Sequence, residues 1–159
     1  MKLFKRKREP EPVQFVQEPQ PVEIPRLHRT QVAMTAKYQE ALESLPKEID
    51  RAYFVKPERV YESELGRYRF KYRKADYVAQ LIPEPTNTYD PNAIMVYVDG
   101  KQIGYVYMSD HEIVWPMLNA GCGVMVTVVG GPYRMVDRNR EEWVSDGKYR
   151  ANLTVVLLT

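Results

Sequence analysis

Residues 67 to 73 alternate cationic and aromatic side chains. A strand places every second residue on the same face, so the two kinds of side chain would lie on opposite faces. A row of cations can follow a phosphate backbone, and aromatic rings offer stacking platforms for bases. A simpler interpretation is an amphipathic strand with aromatics in the core and cations in water. The cations are Arg67, Arg69, Lys71 and Arg73, and the aromatics are Tyr68, Phe70 and Tyr72.

The polar turn from Thr86 to Asn92 is a second candidate site. Its Asn, Asp and Pro residues are spaced so that side chains can hydrogen-bond to the local backbone and fix the bend. Tyr89 and Asp90 are candidates for ligand contacts, and Asn92 is expected to hold the loop. Asn87 either contacts a ligand or helps to hold the loop. A turn that caps itself without any ligand would show the same residues.

The turn and the residues that follow it resemble the signature of the HIRAN domain. This small module stands at the front of DNA-repair helicases and also occurs alone in bacteria and phages. The resemblance is closest over residues 81–107 and extends more loosely over 53–159. The matching residues are Glu84, Pro85, Asn87, Tyr89, Asp90, Asn92, Ala93, Ile94 and Val96, followed by Ile103, Gly104 and Tyr105.

The resemblance implies that the chain binds single-stranded DNA at its 3′ end. In DNA-binding members, an Arg and aromatics on an early strand face the terminal nucleotides, and the family spacing assigns these places to Arg67 and Tyr68. Asn87, Tyr89 and Asp90 match residues that surround the terminal 3′ hydroxyl. A carboxylate accepts a hydrogen bond from a hydroxyl but repels a phosphate, so Asp90 would favour a free 3′-OH.

Two positions depart from the family pattern. Arg69 stands where the family has its second aromatic residue, and Met108 lies near the position of a Lys in some members. Both changes favour an alternative function, in which the chain kept the HIRAN barrel, lost DNA binding and became a protein-interaction or scaffold module. The five positive charges and no negative ones of residues 67–74 favour DNA binding instead.

The elements that must position these residues are mostly strands. Asp99-Gly100 predicts a two-residue hairpin, and a short helix is expected after it, ending at Gly121. Many short strands with turn punctuation favour a small closed barrel. The resemblance implies the same fold, an OB-like β-barrel of about six strands with flanking helices. We therefore predict a mainly β protein with one N-terminal helix and one short helix after the central hairpin.

The chain divides into three predicted parts. Residues 1–29 are basic and Pro-rich and are expected to form a flexible tail. Residues 30–52 are predicted to contain a helix over 31–45, capped by Thr30, and a linker. That helix either docks on the barrel or joins two protomers. Residues 53–159 form the predicted HIRAN-like β-barrel domain.

Bulk properties exclude several classes of protein. The 159 residues suit one domain, and the net charge of +2 does not predict indiscriminate polyanion binding. A single cysteine excludes an internal disulfide, and Cys122, His28 and His111 have no usual zinc spacing. No nucleotide-binding Gly-Lys-Ser/Thr loop or base–nucleophile pair is present, so we expect neither an enzyme nor a cofactor.

The sequence therefore predicts a non-catalytic module that recognises single-stranded DNA at a free 3′ end. It would assist a helicase or nuclease supplied as a separate chain in replication or repair. No apolar run is long enough to span a membrane, and no apolar segment follows the basic N-terminal residues. We accordingly expect a cytoplasmic protein with no membrane partner, and the oligomeric state stays open.

Overall fold

The computed structural model describes residues 23–158, together with Pro10 and Pro12. Within this part of the chain, strands predominate and helices are few. The helices are α1 (Gln39–Ser44) and α2 (His111–Ala120). The strands are β1 (Leu27–Ala33), β2 (Tyr68–Phe70), β3 (Ala75–Val78), β4 (Gln80–Pro83), β5 (Ile94–Val98), β6 (Lys101–Val106), β7 (Cys122–Gly130), β8 (Tyr133–Val136), β9 (Glu142–Ser145) and β10 (Tyr149–Leu157).

Seven of these strands form a sheet that is nearly closed into a barrel. Their order is β3-β7-β10-β1-β6-β5-β4, which puts β3 and β4 at opposite edges. In the chain, however, only Ala79 separates these two strands. The sheet must therefore curl so that its two edge strands come together at Ala79, which nearly closes the barrel. The predicted mainly β, barrel-like fold is confirmed, with seven strands in this sheet rather than about six.

The barrel core consists of the inward-facing residues of alternating strands. In β5, Ile94, Val96 and Val98 are buried while the residues between them are only partly covered. Helix α2 closes one part of the core with Val114 and Met117, both fully buried. Burying each large aliphatic side chain stabilises the fold by about 1.5–3 kcal/mol, so this alternation is the main source of stability.

The central hairpin forms as predicted. Asp99 and Gly100 both have positive φ, 50° and 73°, as a two-residue turn that follows the strand twist requires. Further along β6, the backbone of Gly104 passes so close to β1 that a Cβ there would lie 2.3 Å from the Ala33 carbonyl oxygen. A larger residue at position 104 would therefore separate the two strands.

The predicted helix over 31–45 is wrong in its first half. Residues up to Ala33 belong to β1, and helix α1 begins only at Gln39, after a 3-10 turn at Thr35–Lys37. The barrel needs a strand between β10 and β6, and this pairing overrides the helical spacing of apolar residues. Thr30 lies within β1 and donates to Asp110 instead of capping a helix. Strand β1 thus spans the predicted boundary between tail and helix.

Helix α1 docks on the barrel of its own chain. Leu42 is fully buried in the core. The Gln39 amide donates to the Tyr149 carbonyl at 2.9 Å and accepts from the Tyr149 N–H at 2.8 Å. These contacts answer the question that the sequence left open for this helix.

A smaller sheet of β2, β8 and β9, here called the accessory sheet, lies outside the barrel order. The chain reaches it through three 3-10 turns, Arg51–Phe54, Pro57–Arg59 and Glu62–Glu64. The candidate segment 67–73 therefore contributes a strand only at Tyr68–Phe70, and that strand belongs to the accessory sheet.

Candidate nucleic-acid interface

The signature turn borders a cavity of about 680 Å³, here called the signature cavity. The turn itself forms one part of the lining, and the end of β1 with the segment that follows it forms another. The end of β6 and the start of α2 complete the lining. The lining residues are Ala33, Met34, Lys37, Tyr38, Glu84, Thr86, Asn87, Thr88, Tyr89, Asp90, Ala93, Tyr105, Val106, Tyr107, Met108 and His111.

Side chains of the turn hold its own backbone in place. The Asn87 side-chain oxygen accepts from the backbone N–H groups of Tyr89 and Asp90, at 2.9 and 3.0 Å. The Asp90 carboxylate accepts from the N–H of Asn92 at 2.9 Å. Asn92 contributes its backbone, since its carbonyl also accepts from the Trp115 indole at 2.9 Å. The side chains that hold the loop are therefore those of Asn87 and Asp90, where the sequence had favoured Asn92.

The Tyr89 side chain takes no part in the hydrogen bonds that hold this turn. This side chain is 97% exposed, although it sits on a rigid loop beside a cavity. An aromatic ring held in water contributes almost nothing to burial, so the fold does not account for it. Its position suits stacking on a planar ligand group.

The carboxylates of the signature cavity give part of its wall a negative character. Asp90 Oδ2 lies 3.6 Å from His111 Nδ1, and both side chains are mostly buried. Glu84 accepts a hydrogen bond of 2.7 Å from the Tyr105 hydroxyl. These acids can accept hydrogen bonds from a sugar hydroxyl and would repel a second anion.

Lys37 and Tyr38, neighbours in the chain, bring a cation and an aromatic ring to the lining of the signature cavity. Burial, reinforced by a hydrogen bond with Tyr105, raises the pKa of Tyr38 to about 12. Its hydroxyl therefore stays neutral at physiological pH. Sequence reasoning missed both residues because it placed them within a helix. Residues 27–33, Leu-His-Arg-Thr-Gln-Val-Ala, lack period-two apolar alternation, so the sequence offered no clear signal for a strand here or for a site at Lys37 and Tyr38.

The other predicted site residues lie elsewhere. Arg67 and Arg69 line a second cavity of about 230 Å³, together with Arg59 and Arg134, and neither borders the signature cavity. Arg69 forms ion pairs with Glu64 at 2.9 Å and Asp50 at 3.8 Å. Its charge is largely compensated within the fold.

The remaining residues of the 67–73 segment differ from the simple amphipathic expectation. Tyr68 is 67% exposed and does not enter the core. Lys71 places its ammonium group 5.4 Å from the Tyr72 ring centre. Arg67 is mostly exposed and only loosely paired, 3.8 Å from Glu64. The structure thus brings Asn87, Tyr89 and Asp90 together and holds the 67–71 residues on a separate surface.

Comparison with known families gives the class of protein. The family model of the HIRAN domain matches residues 5–146, most of the chain, so the chain belongs to the HIRAN domain family. The match includes β1, well before residue 53, where the sequence had placed the start of the domain. No match was found among curated proteins or among solved structures. Family membership indicates a nucleic-acid-binding module.

The described residues contain neither a membrane-spanning helix nor a metal-binding group of side chains. In residues 23–158, no helix is both long enough and apolar enough to cross a membrane. Over the same range, no three His, Cys, Asp or Glu side chains are grouped so that they could hold a metal ion.

Proposed function

We propose that this HIRAN-family chain binds the free 3′ end of single-stranded DNA in the signature cavity. The observation that carries the proposal is the exposed Tyr89 ring next to the fixed Asp90 carboxylate. The ring would stack on the last base, and the carboxylate would accept the hydrogen bond of the terminal hydroxyl. The chain would not catalyse a reaction but would assist a separate helicase or nuclease in the cytoplasm.

Electrostatics support a hydroxyl end over a phosphate end. A charge-assisted hydrogen bond to a carboxylate contributes on the order of 1.5–3 kcal/mol. A fully ionised 3′-phosphate offers no such donor and brings two negative charges towards Asp90 and Glu84. A free 3′-OH is therefore the better ligand for this wall of the cavity.

Cations near the site supply the contacts to the phosphate backbone. Lys37 lines the signature cavity and fills the need for a cation that Met108 leaves unmet. Arg67 and Lys71 remain candidates for contacts with phosphates further along the bound DNA. Arg69 is a poor candidate because it already forms two ion pairs. The loss of Arg69 as a contact supports the second candidate, a scaffold module without DNA binding.

Competition between matched oligonucleotides tests the proposal. A 3′-hydroxyl oligonucleotide should bind at least about tenfold more tightly than its 3′-phosphorylated twin, a difference of roughly 1.4 kcal/mol. A 5′-phosphorylated oligonucleotide should bind like the unmodified one. Equal affinities for all three would contradict end recognition, and no binding at moderate salt would favour the scaffold module.

Asp90→Asn sharpens this test because an Asn can still accept from the Asn92 N–H and keep the turn. The variant should narrow the preference for the 3′-OH end, since an amide does not repel a phosphate. Asp99→Asn is a matched control, because it removes the same charge at a hairpin turn that accepts Asn-Gly equally well. The control should keep the full preference.

A further inference from the structure

Register in the accessory sheet places four aromatic rings on one face. Residues directly opposite each other on neighbouring strands share a face. Tyr68 pairs with Met135, which pairs with Trp143. Phe70 pairs with Tyr133 in the same way. The aromatic face is therefore built by Tyr68, Phe70, Tyr133 and Trp143, which come from three strands.

The accessory sheet exposes three of these rings and partly buries Tyr133, whereas charged side chains lie on its opposite face. Tyr68 is 67% and Trp143 is 58% exposed. On the opposite face, Arg69 and Arg134 line the smaller cavity, and the Arg134 guanidinium donates to the Val55 carbonyl. This orientation is the reverse of what burial of apolar surface alone would select.

The rings are ordered by contacts within the sheet. Tyr68 and Phe70 both pack edge-to-face with Tyr133, at centroid distances of 5.2 and 5.6 Å. The Trp143 indole N–H donates to Asp137 at 2.9 Å, which leaves the ring itself uncovered. A preordered ring loses little conformational entropy when a ligand stacks on it.

Charge around the aromatic face fits a polyanion. Arg67 directly precedes β2 and is mostly exposed, although it also lines the smaller cavity, and Arg73 and Lys74, which follow β2 in the chain, are exposed as well. Two of the nearby acids have partners: Asp137 accepts from Trp143 and from backbone N–H groups, and Glu142 lies 3.5 Å from Arg134 on the other face. Glu141 and Asp146 flank β9 outside the strand.

We propose that the aromatic face binds unpaired bases of single-stranded nucleic acid by stacking, as a contact surface separate from the signature cavity. Stacking needs exposed, ordered rings, and nearby cations attract the phosphates between the bases. An apolar protein surface docked here would bury these cations without a counter-charge. The inference rests on the proposed function only for the class of ligand and does not require recognition of the 3′ end.

The two tryptophans of the chain allow a direct test. Trp115→Phe leaves Trp143 as the only indole, so its fluorescence reports on the aromatic face alone. Titration with an oligothymidylate of about 12 nucleotides, within the range that an OB fold covers, should quench this signal to saturation. Quenching should persist with a 3′-phosphorylated oligonucleotide at saturating concentration. Circular dichroism checks that the variant is folded.

Affinity measurements keep the proposal testable if Trp115→Phe is unstable. Trp143→Ala should weaken binding of the same oligonucleotide about tenfold, and Trp143→Phe should restore most of the loss. Val144→Ala is the matched control, because Val144 is exposed on the same strand but on the opposite face. It should bind like the parent chain.

The outcomes separate this inference from the proposed function. Unquenched Trp143 together with a retained preference for 3′-OH would overturn the inference and leave the proposed function standing. Quenched Trp143 in the Trp115→Phe variant, without any 3′-OH preference in the parent chain, would support the aromatic face and contradict end recognition. A Trp143 signal that depends on protein concentration without DNA would identify an interface between two copies and overturn the inference.

Discussion

The signature turn and the accessory sheet both present aromatic and charged side chains, but different parts of the chain determine which of them are available. In the turn, Asn87 and Asp90 cap the backbone within a few residues, and Tyr89 is left free. In the accessory sheet, the charge of Arg69 is neutralised by Glu64 and Asp50, which both come earlier in the chain. Which side chains can contact a ligand is therefore decided by neighbouring residues in the turn and by tertiary contacts in the sheet.

The largest expected effect on binding comes from Tyr89. Tyr89→Ala should weaken single-strand binding by roughly 1–3 kcal/mol, because it removes a stacking ring, and should leave the melting temperature unchanged. Fluorescence anisotropy with a labelled oligonucleotide measures the loss. Tyr61→Ala is a matched control, since Tyr61 is also exposed, at 81%, but borders the smaller cavity.

The contrast between the two regions would be lost if Tyr61→Ala weakened binding as much as Tyr89→Ala. In that case the smaller cavity would belong to the binding surface, and the separation of the two sites would be wrong. A Tyr89→Ala variant that failed to fold would likewise show that the exposed ring has a structural role.

The next effect concerns stability of the turn. Asn87→Ala should lower the free energy of unfolding by about 1–2 kcal/mol, because two backbone N–H groups lose their acceptor. Asn92→Ala should cost less, since the hydrogen bonds found at Asn92 use its backbone. Urea denaturation of the two variants compares them. A larger loss for Asn92→Ala would restore the role that the sequence had favoured for it.

Much of the barrel could be predicted from the sequence because its signals are local. Period-two alternation and the Asp99-Gly100 turn fix the central hairpin, and the glycine at 121 ends the helix after it. Strand β1 could not be predicted in this way. Its inner residues, Val32 and Ala33, gain their place by pairing with Val106 and Tyr105, which are distant in sequence.

Because the prediction placed a helix over β1 and the residues after it, it also missed part of the lining of the signature cavity. Lys37 and Tyr38 follow β1 in the chain. Because the sequence predicted a helix there, neither residue was predicted to belong to the site. The 67–73 segment shows the converse. The alternation of cations and aromatics was evident in the sequence. The sequence does not reveal, however, that Glu64 and Asp50 pair with Arg69 and so decide which way its side chain points.

The smallest expected effect concerns individual cations in and beside β2 of the accessory sheet. Arg67→Ala and Lys71→Ala should each lower the salt slope of binding by about 0.7, the value for one lost contact with a single-strand phosphate. Arg69→Ala should leave the slope unchanged and lower the melting temperature, because its charge is paired within the fold. Anisotropy titrations across a range of salt concentrations measure the slopes.

The three variants distinguish two cations that would contact DNA, Arg67 and Lys71, from Arg69, which supports the fold. If the Arg67→Ala, Lys71→Ala double variant binds like the parent, these two cations are merely solvated and do not contact the phosphates of bound DNA. If Arg69→Ala lowers the slope as well, the ion pairs with Glu64 and Asp50 must open when DNA binds. Partner acids would then compete with phosphate for Arg69, and the difference between the two regions would be one of degree.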